Sequence, residues 1–139
     1  AARRAPPIPL PRAEEPEGQR AWFDAILGWG AEPGPPQELP RGADEVVFDR
    51  GALPDRLVLR APRPGEELEG FGGRRHAARE VMRQARAPAR TRWRWPCVAL
   101  PDGPLLWVCG GRRSGLAPVE PGSDELVRMW VRWRGRGEK

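Results

Sequence analysis

The sequence predicts a small α+β domain, in which a mixed or antiparallel sheet of about five strands carries one amphipathic helix on a face. Short apolar runs separated by turn residues fill the chain from residue 45 onward, and a single stretch there has helical periodicity. Proline and glycine are concentrated before residue 45. We therefore predict an interdomain linker with a short helix over residues 1–44, and a compact domain over residues 45–139.

The short helix is predicted from the spacing of four apolar residues in the first segment. Between Gln19 and Leu27, the side chains of Trp22, Phe23, Ile26 and Leu27 fall on one helical face, and the next residue is a glycine that would end the helix. The proline-rich residues 1–16 and the glycine- and proline-rich residues 28–44 are predicted to be extended linkers.

Five strands are predicted in the compact domain from β-branched and alternating apolar residues. The last one is the best patterned, because its apolar residues alternate with Arg128 and Arg132. Two others flank a Pro-Asp-Gly-Pro turn and should form a hairpin. The predicted strands are Glu45–Phe48, Arg56–Arg60, Cys97–Leu100, Leu105–Cys109 and Leu126–Trp133.

The amphipathic helix is predicted from His76 to Ala87, with Pro88 ending it. Its apolar residues recur at the spacing of one helical face, and arginines occupy the other faces. This face should pack on the sheet.

The charge of the chain is concentrated around this helix. Residues 74–94 contain eight arginines and one acid, Glu80, which is a net charge of +7, whereas the whole chain has +5. Lysine occurs only at Lys139, so a bias in base composition could account for the arginine content, but residues 1–44 have a net charge of −2. An arginine excess of this size attracts polyanions, and the planar guanidinium suits phosphate oxygens, so we predict a nucleic-acid partner.

Three short segments are candidates for phosphate or base contacts. Gly72 and Gly73, followed by Arg74 and Arg75, should expose backbone amides at the start of the helix, although the glycines could simply turn the chain. Arg112 and Arg113 follow a glycine pair at the end of the hairpin, where either a phosphate or solvent could meet them. The run 92–95 alternates arginine with tryptophan, which could stack on exposed bases or be buried in the core.

No catalytic constellation is visible in the sequence. A Walker motif, a metal-ligand cluster and a nucleophile with its base are all missing, and His76 is expected to be structural or to contact RNA. Glu66 and Glu67 are expected to be solvated. Cys97 and Cys109 could pair across the hairpin or remain free core thiols. The chain has no membrane-spanning segment, begins at Ala1 and is expected to be a cytoplasmic fragment of a longer protein.

Several motifs in order resemble the C-terminal domain of tRNA(Ile)-lysidine synthetase. The segments 47–49, 57–60 and 63–66 resemble that family's "aFD", "L-x-[VL]-R" and "RPGD" motifs, with Glu66 in place of the aspartate. The glycines of segment 70–73 resemble its "P-x-G-x-x-G" turn, and 81–88 resembles "LFxxAxVP". Segments 92–96 and 106–110 resemble "R-x-x-x-P" and "ilWvpG".

This resemblance implies a role in tRNA modification. The parent enzyme is a ligase that uses ATP, Mg²⁺ and lysine to convert the wobble cytidine of tRNA(Ile) to lysidine, in a catalytic N-terminal domain outside this chain. The segment itself would catalyse nothing and hold neither cofactor nor metal, and it would dock the acceptor-stem side of tRNA. The alternative is a module that braces the catalytic domain without touching RNA. Whether the parent is a homodimer stays open. The residues expected to bind tRNA are Arg63, Gly72, Gly73, Arg74, Arg75, Arg79, Arg90, Arg92, Arg112 and Arg113.

Overall fold

Ten strands, one α-helix and three short 3₁₀ helices make up the computed structural model, which describes residues 5–11, 14–35, 40 and 42–134. The 3₁₀ helices are Arg50–Ala52, Phe71–Gly73 and Ala89–Arg94, and the α-helix α1 is Ala78–Gln84. The strands are β1 Ile8–Leu10, β2 Glu17–Trp22, β3 Ala25–Pro33, β4 Glu45–Asp49, β5 Leu57–Arg60, β6 Glu67–Glu69, β7 Arg75–Ala77, β8 Cys97–Ala99, β9 Leu105–Val108 and β10 Glu125–Trp133.

The strands form three antiparallel sheets. Two have four strands each, in the orders β1-β5-β8-β9 and β2-β3-β10-β4, and β6 with β7 forms a separate hairpin. In the second sheet, all nine residues of β10 pair with β3, and five of them also pair with β4. The α+β class is confirmed, but the described residues form ten strands instead of about five.

All five predicted strands are present, and the hairpin of β8 and β9 is confirmed. The alternation in β10 has the expected result, since Val127, Met129 and Val131 are buried. On the opposite face, Arg128 forms ion pairs with Glu32 at 2.7 Å and Glu45 at 3.0 Å. The amphipathic helix is confirmed as well, although α1 covers only residues 78–84 of the predicted 76–87.

The predicted helix over residues 19–27 is wrong. Those residues belong to strands β2 and β3, which are joined by a two-residue turn at Phe23 and Asp24. Ala25, Leu27 and Trp29 are buried at every second position, so the period is that of a strand. Pairing with β10 on one side and β2 on the other outweighs the helical spacing.

The linker prediction for residues 1–44 is also corrected. β1 pairs with β5, and β3 pairs with β10, so both segments are integral to the two larger sheets. Together with β2, they also supply residues of the main core, namely Leu10, Trp22, Ala25, Leu27 and Trp29. The described part of residues 1–44 therefore shares its core with the domain predicted to begin at residue 45.

A second, smaller core lies beneath α1. The helix buries Ala78, Val81 and Met82 against a group that includes Trp95 and Cys97. Both cysteines are free and fully buried, and burial raises the pKa of each thiol. They act as small core residues. None of the described helices is long and apolar enough to span a bilayer.

Candidate nucleic-acid interface

Three of the predicted tRNA-binding arginines line one cleft. Its volume is about 580 Å³, and it lies between the loop after β5, helix α1 and the 3₁₀ helix Ala89–Arg94. Arg63, Arg79 and Arg92 come from these three elements, and Trp93 also lines the cleft. The fold thus brings together side chains that lie up to 29 positions apart in the sequence.

The guanidinium groups of this cleft are available to an anion. Arg63 and Arg79 are exposed, and within the described residues no carboxylate lies at ion-pair distance from either one. Arg92 is half-buried, and its Nε donates a hydrogen bond to the carbonyl of Ala87 at 3.1 Å, which fixes the side chain. Glu66 and Glu67 also line the cleft, but they pair with Arg60 and Arg75. The three cleft arginines beside one aromatic ring are therefore suited to a phosphate backbone with adjacent bases.

A buried ion pair holds the loop that carries Arg63. The two oxygens of Glu66 accept hydrogen bonds from Arg60 at 2.8 Å and 2.6 Å, and one of them also accepts from the Arg63 amide at 2.8 Å. The guanidinium of Arg60 is only 4% exposed, so the expectation that Glu66 is solvated was wrong. Burial acts to raise the pKa of Glu66, but the bonds from Arg60 and Arg63, with their charges, lower it overall.

The glycine turn does not open the helix as predicted. Gly72 and Gly73 have φ values of 76° and 82°, and their turn joins β6 to β7. The amide of Gly73 bonds to the carbonyl of Gly70, and α1 begins only at Ala78, after β7. The predicted cradle of free amides at a helix terminus is therefore wrong. Both glycines instead line a separate cleft of about 290 Å³.

The remaining arginines of segment 74–94 differ in their partners. Arg75 pairs with Glu67 at 3.5 Å, and Arg83 pairs with Glu80 one turn before it on α1. Arg74 and Arg90 are exposed and lie outside the clefts described here. Part of the +7 charge is thus neutralised locally.

Arg113 is not displayed on a loop, which corrects its predicted role. Its guanidinium lies 4.2 Å from the ring of Phe48 and 5.2 Å from that of Phe71. It donates hydrogen bonds to backbone carbonyls, and burial lowers the pKa of Arg113 to about 10. The acceptors are the carbonyls of Val47, Ser114, Leu116 and Ala117. Arg113 therefore braces the fold, while the exposed Arg112 borders a third cleft of about 490 Å³.

An aromatic cluster beside the arginine cleft was missed in the sequence. Phe23, at the β2–β3 turn, contacts Trp22 and Trp93 edge to face, with ring centroids 5.5 Å and 5.7 Å away. Arg94 lies over the Phe23 ring at 4.9 Å. In the sequence, this turn is marked only by the point at which the residue alternation of β2 ends and that of β3 begins. Trp95, in contrast, is buried, so core packing, one of the two alternatives for the run 92–95, applies to this tryptophan.

Potential metal ligands do not cluster in the described part of the chain. No three His, Cys, Asp or Glu side chains there are grouped to hold a metal ion. His76 lies in β7 opposite Leu68 and is half-buried.

Curated relatives resemble this chain. No protein-family model matches it. The tRNA(Ile)-lysidine synthase of Geobacillus kaustophilus (strain HTA426) is 36% identical over 90 residues, which cover 63% of this chain and 19% of the relative. The synthase of Symbiobacterium thermophilum is 31% identical over 107 residues, or 74% and 22% of the two chains. That of Geobacter sulfurreducens is 28% identical over 134 residues, or 88% and 28%.

The chain therefore spans between 19% and 28% of the length of these relatives. A solved structure, the TILS C-terminal domain, superposes with a TM-score of 0.72 and 23% identity, covering 84% of this chain and 90% of that one. The resemblance inferred from the sequence motifs is confirmed, and this chain is similar in sequence and in fold to the C-terminal domain of tRNA(Ile)-lysidine synthetase.

Proposed function

We propose that this chain is the tRNA-docking domain of a tRNA(Ile)-lysidine synthetase and grips tRNA on its acceptor-stem side. In this proposal the chain supplies binding energy and orientation. A catalytic domain in the rest of the protein uses ATP and Mg²⁺ to join lysine to the wobble cytidine, in the cytoplasm.

The cleft formed by Arg63, Arg79 and Arg92 carries this proposal. Its arginines extend from three different elements toward one space. Among the described residues Arg63 and Arg79 form no close ion pair, and the nearest carboxylates, Glu66 and Glu80, pair with Arg60 and Arg83. A-form RNA is recognised mainly through its phosphates, its 2′-hydroxyls and its shape. A cleft lined by guanidinium groups is suited to that type of contact.

The exposed Arg74 and Arg90 would extend the contact beyond the cleft. Arg112 and the turn glycines Gly72 and Gly73 border other depressions, so they would contribute only where a long RNA reaches them. Arg113 lines the same cleft as Arg112, but it would contribute mainly through the fold, because its guanidinium is already hydrogen-bonded to backbone carbonyls of the protein.

The first test compares the salt dependence of tRNA binding between variants. The double variant Arg79→Ala with Arg92→Ala removes two cleft charges, so its affinity for tRNA(Ile) should fall. In a plot of the logarithm of its tRNA association constant against the logarithm of the salt concentration, the slope should become shallower by about 0.7 to 0.9 for each lost phosphate contact. Fluorescence anisotropy of labelled tRNA over a salt series measures both quantities.

A matched control removes the same charge elsewhere. Arg50 and Arg56 pair with Glu125 at 3.0 Å and with Glu14 at 3.2 Å, and none of these residues lines the cleft. Arg50→Ala with Arg56→Ala should leave the slope close to that of the unmodified chain. Equal effects of the two double variants would contradict a specific role for the cleft.

The same materials separate docking from the protein-interaction alternative. A chain that fails to bind tRNA at low salt, yet associates with the separately produced catalytic domain, would support the bracing module. Hydroxyl-radical footprinting of the bound tRNA then tests the acceptor-stem side. Protection confined to the anticodon arm would contradict that orientation.

A further inference from the structure

The β2–β3 turn presents an aromatic ring to solvent at a backbone conformation that does not suit it. Phe23 has φ = 55°, in the left-handed region that bulky residues rarely adopt. In a two-residue hairpin turn, residues with positive φ are usually glycine, asparagine or aspartate. The side chain is nevertheless 44% exposed, so burial does not explain the choice of phenylalanine.

The turn is fixed in position by contacts with the 3₁₀ helix Ala89–Arg94. The indole Nε1 of Trp22 donates a hydrogen bond to the carbonyl of Arg94 at 2.7 Å. The Phe23 ring meets the edge of Trp93 at 5.7 Å and lies beneath the Arg94 guanidinium at 4.9 Å. Contacts between two elements that are distant in sequence, the β2–β3 turn and this 3₁₀ helix, thus hold the exposed Phe23 ring in place in the unbound protein.

The ring is continuous with the arginine cleft, because Trp93 belongs to both. Trp93 lines the cleft with Arg92 and also contacts Phe23. An RNA backbone bound by the cleft would therefore place its next nucleotide against an aromatic ring flanked by Arg94. Unpaired bases are bound in this way, by stacking on aromatic rings and guanidinium planes, whereas paired bases cannot leave the helix without cost.

We propose that Phe23, Trp93 and Arg94 form a stacking site for an unpaired nucleobase at the end of an RNA helix. This site rests on the proposed function, because the arginine cleft holds the adjacent helix. The cleft binds phosphates whatever the sequence, and the aromatic cluster distinguishes a helix that continues as a single strand from one that ends bluntly.

The experiment compares two RNA hairpins with the same stem, one blunt and one extended by a few unpaired adenosines. The unmodified chain should bind the extended hairpin at least about fivefold more tightly, the lower end of what stacking of one base contributes. Phe23→Asn removes the ring but tolerates positive φ, so the turn should still form. This variant should bind the two hairpins equally and keep both its affinity for the blunt one and its salt slope.

The conservative variant Phe23→Tyr retains the ring and should retain the preference. Equal binding of the two hairpins by the unmodified chain would overturn the stacking site, and so would a preference that survives in Phe23→Asn. Failure to bind either hairpin would reject the proposed function itself. If Phe23→Asn fails to fold, as judged by urea unfolding, the comparison of the two hairpins on the unmodified chain still decides the question.

Discussion

Arg60 and Arg113 both place a guanidinium group inside the protein, and they satisfy it differently. Arg60 faces a carboxylate, whereas Arg113 faces backbone carbonyls and two aromatic rings. A buried guanidinium needs such acceptors, because a charge removed from water without partners is costly. The number of arginines in the sequence therefore overstates the charge that is available to RNA.

Glu66→Gln should destabilise the fold more than an ordinary surface substitution. The glutamine leaves Arg60 buried beside an uncharged group, and breaking a buried ion pair costs about 3 to 5 kcal/mol. Urea unfolding followed by tryptophan fluorescence measures the loss. Glu120→Gln, at an exposed acid, is the control and should change the free energy of unfolding by less than about 0.5 kcal/mol.

The same pair makes stability depend on pH. The pKa of Glu66 in the folded protein lies below its usual value of 4.5, so on acidification the unfolded chain takes up the proton first. The contribution of this carboxylate is complete above pH 4.5 and is lost as the pH falls through the lower, folded value. The unmodified chain should therefore lose more stability in acid than Glu66→Gln. Parallel pH profiles would contradict this assignment.

Strands β3 and β10 pack closely at a glycine. A methyl group added at Gly28 would lie 2.3 to 2.6 Å from the indole of Trp130, which stands opposite it in the pairing register. At Gly30, on the same strand, the nearest atoms would be at an ordinary 3.8 to 3.9 Å. The indole of Trp130 therefore occupies the space that a side chain at position 28 would fill.

Gly28→Ala should destabilise the protein by about 1 to 3 kcal/mol, the usual cost of overpacking. Gly30→Ala provides the matched control and should have a much smaller effect, because its methyl group has room. Urea unfolding of both variants gives the comparison. Similar losses for the two would show that the cost comes from the backbone and not from Trp130.

Whether a segment is a helix or a strand could be predicted from the sequence where the spacing of its apolar residues fits only one periodicity. In β10, Val127, Met129 and Val131 alternate with Arg128, Trp130 and Arg132, and this period of two is that of a strand. Around Trp22, Phe23, Ile26 and Leu27, the spacing fits both a helical face and two strands with a short turn. Because a phenylalanine occupies the turn, the sequence shows no turn residue between the two strands at position 23. Strands β1, β6 and β7 have three residues each, too few to show a periodicity.

The candidate site was predictable in its charge but not in its arrangement. Arg63, Arg79 and Arg92, which converge on the cleft, were all among the predicted tRNA-binding residues, although Arg63 lies outside the arginine-rich segment 74–94. For other arginines, contacts with residues distant in sequence determine whether the guanidinium is available. Val47 and Phe48, for example, contact Arg113 and hold it within the protein. Those contacts come from the tertiary fold, which no local pattern encodes.

At the scale of the whole molecule, residues on both sides of position 45 build one core. Leu27 and Trp29 from β3 are buried in the same cluster as Phe48 from β4 and Met129 from β10. Removing β1, β2 and β3 would also uncover one edge of β10 and one edge of β5. The compact unit therefore begins well before the boundary that composition predicts.

A fragment of residues 45–139 should fail to fold cooperatively. It would lack the core residues of the first three strands and expose two hydrophobic sheet edges, which favours aggregation. Circular dichroism and urea unfolding, compared with the full chain, test this outcome. A cooperative transition with an undiminished m-value would show that the first 44 residues are dispensable.

The order of the second sheet has a consequence during protein synthesis. One of its two inner strands, β10, is the last of the described strands in sequence, and β3 and β4 both pair with β10 but not with each other. β4 therefore has no partner until residue 133 has been synthesised, and β3, which already pairs with β2, keeps its other edge open until then. At about 5 to 20 residues per second, these edges stay unprotected for seconds. Nascent chains stalled before Glu125 should be the species that a chaperone captures.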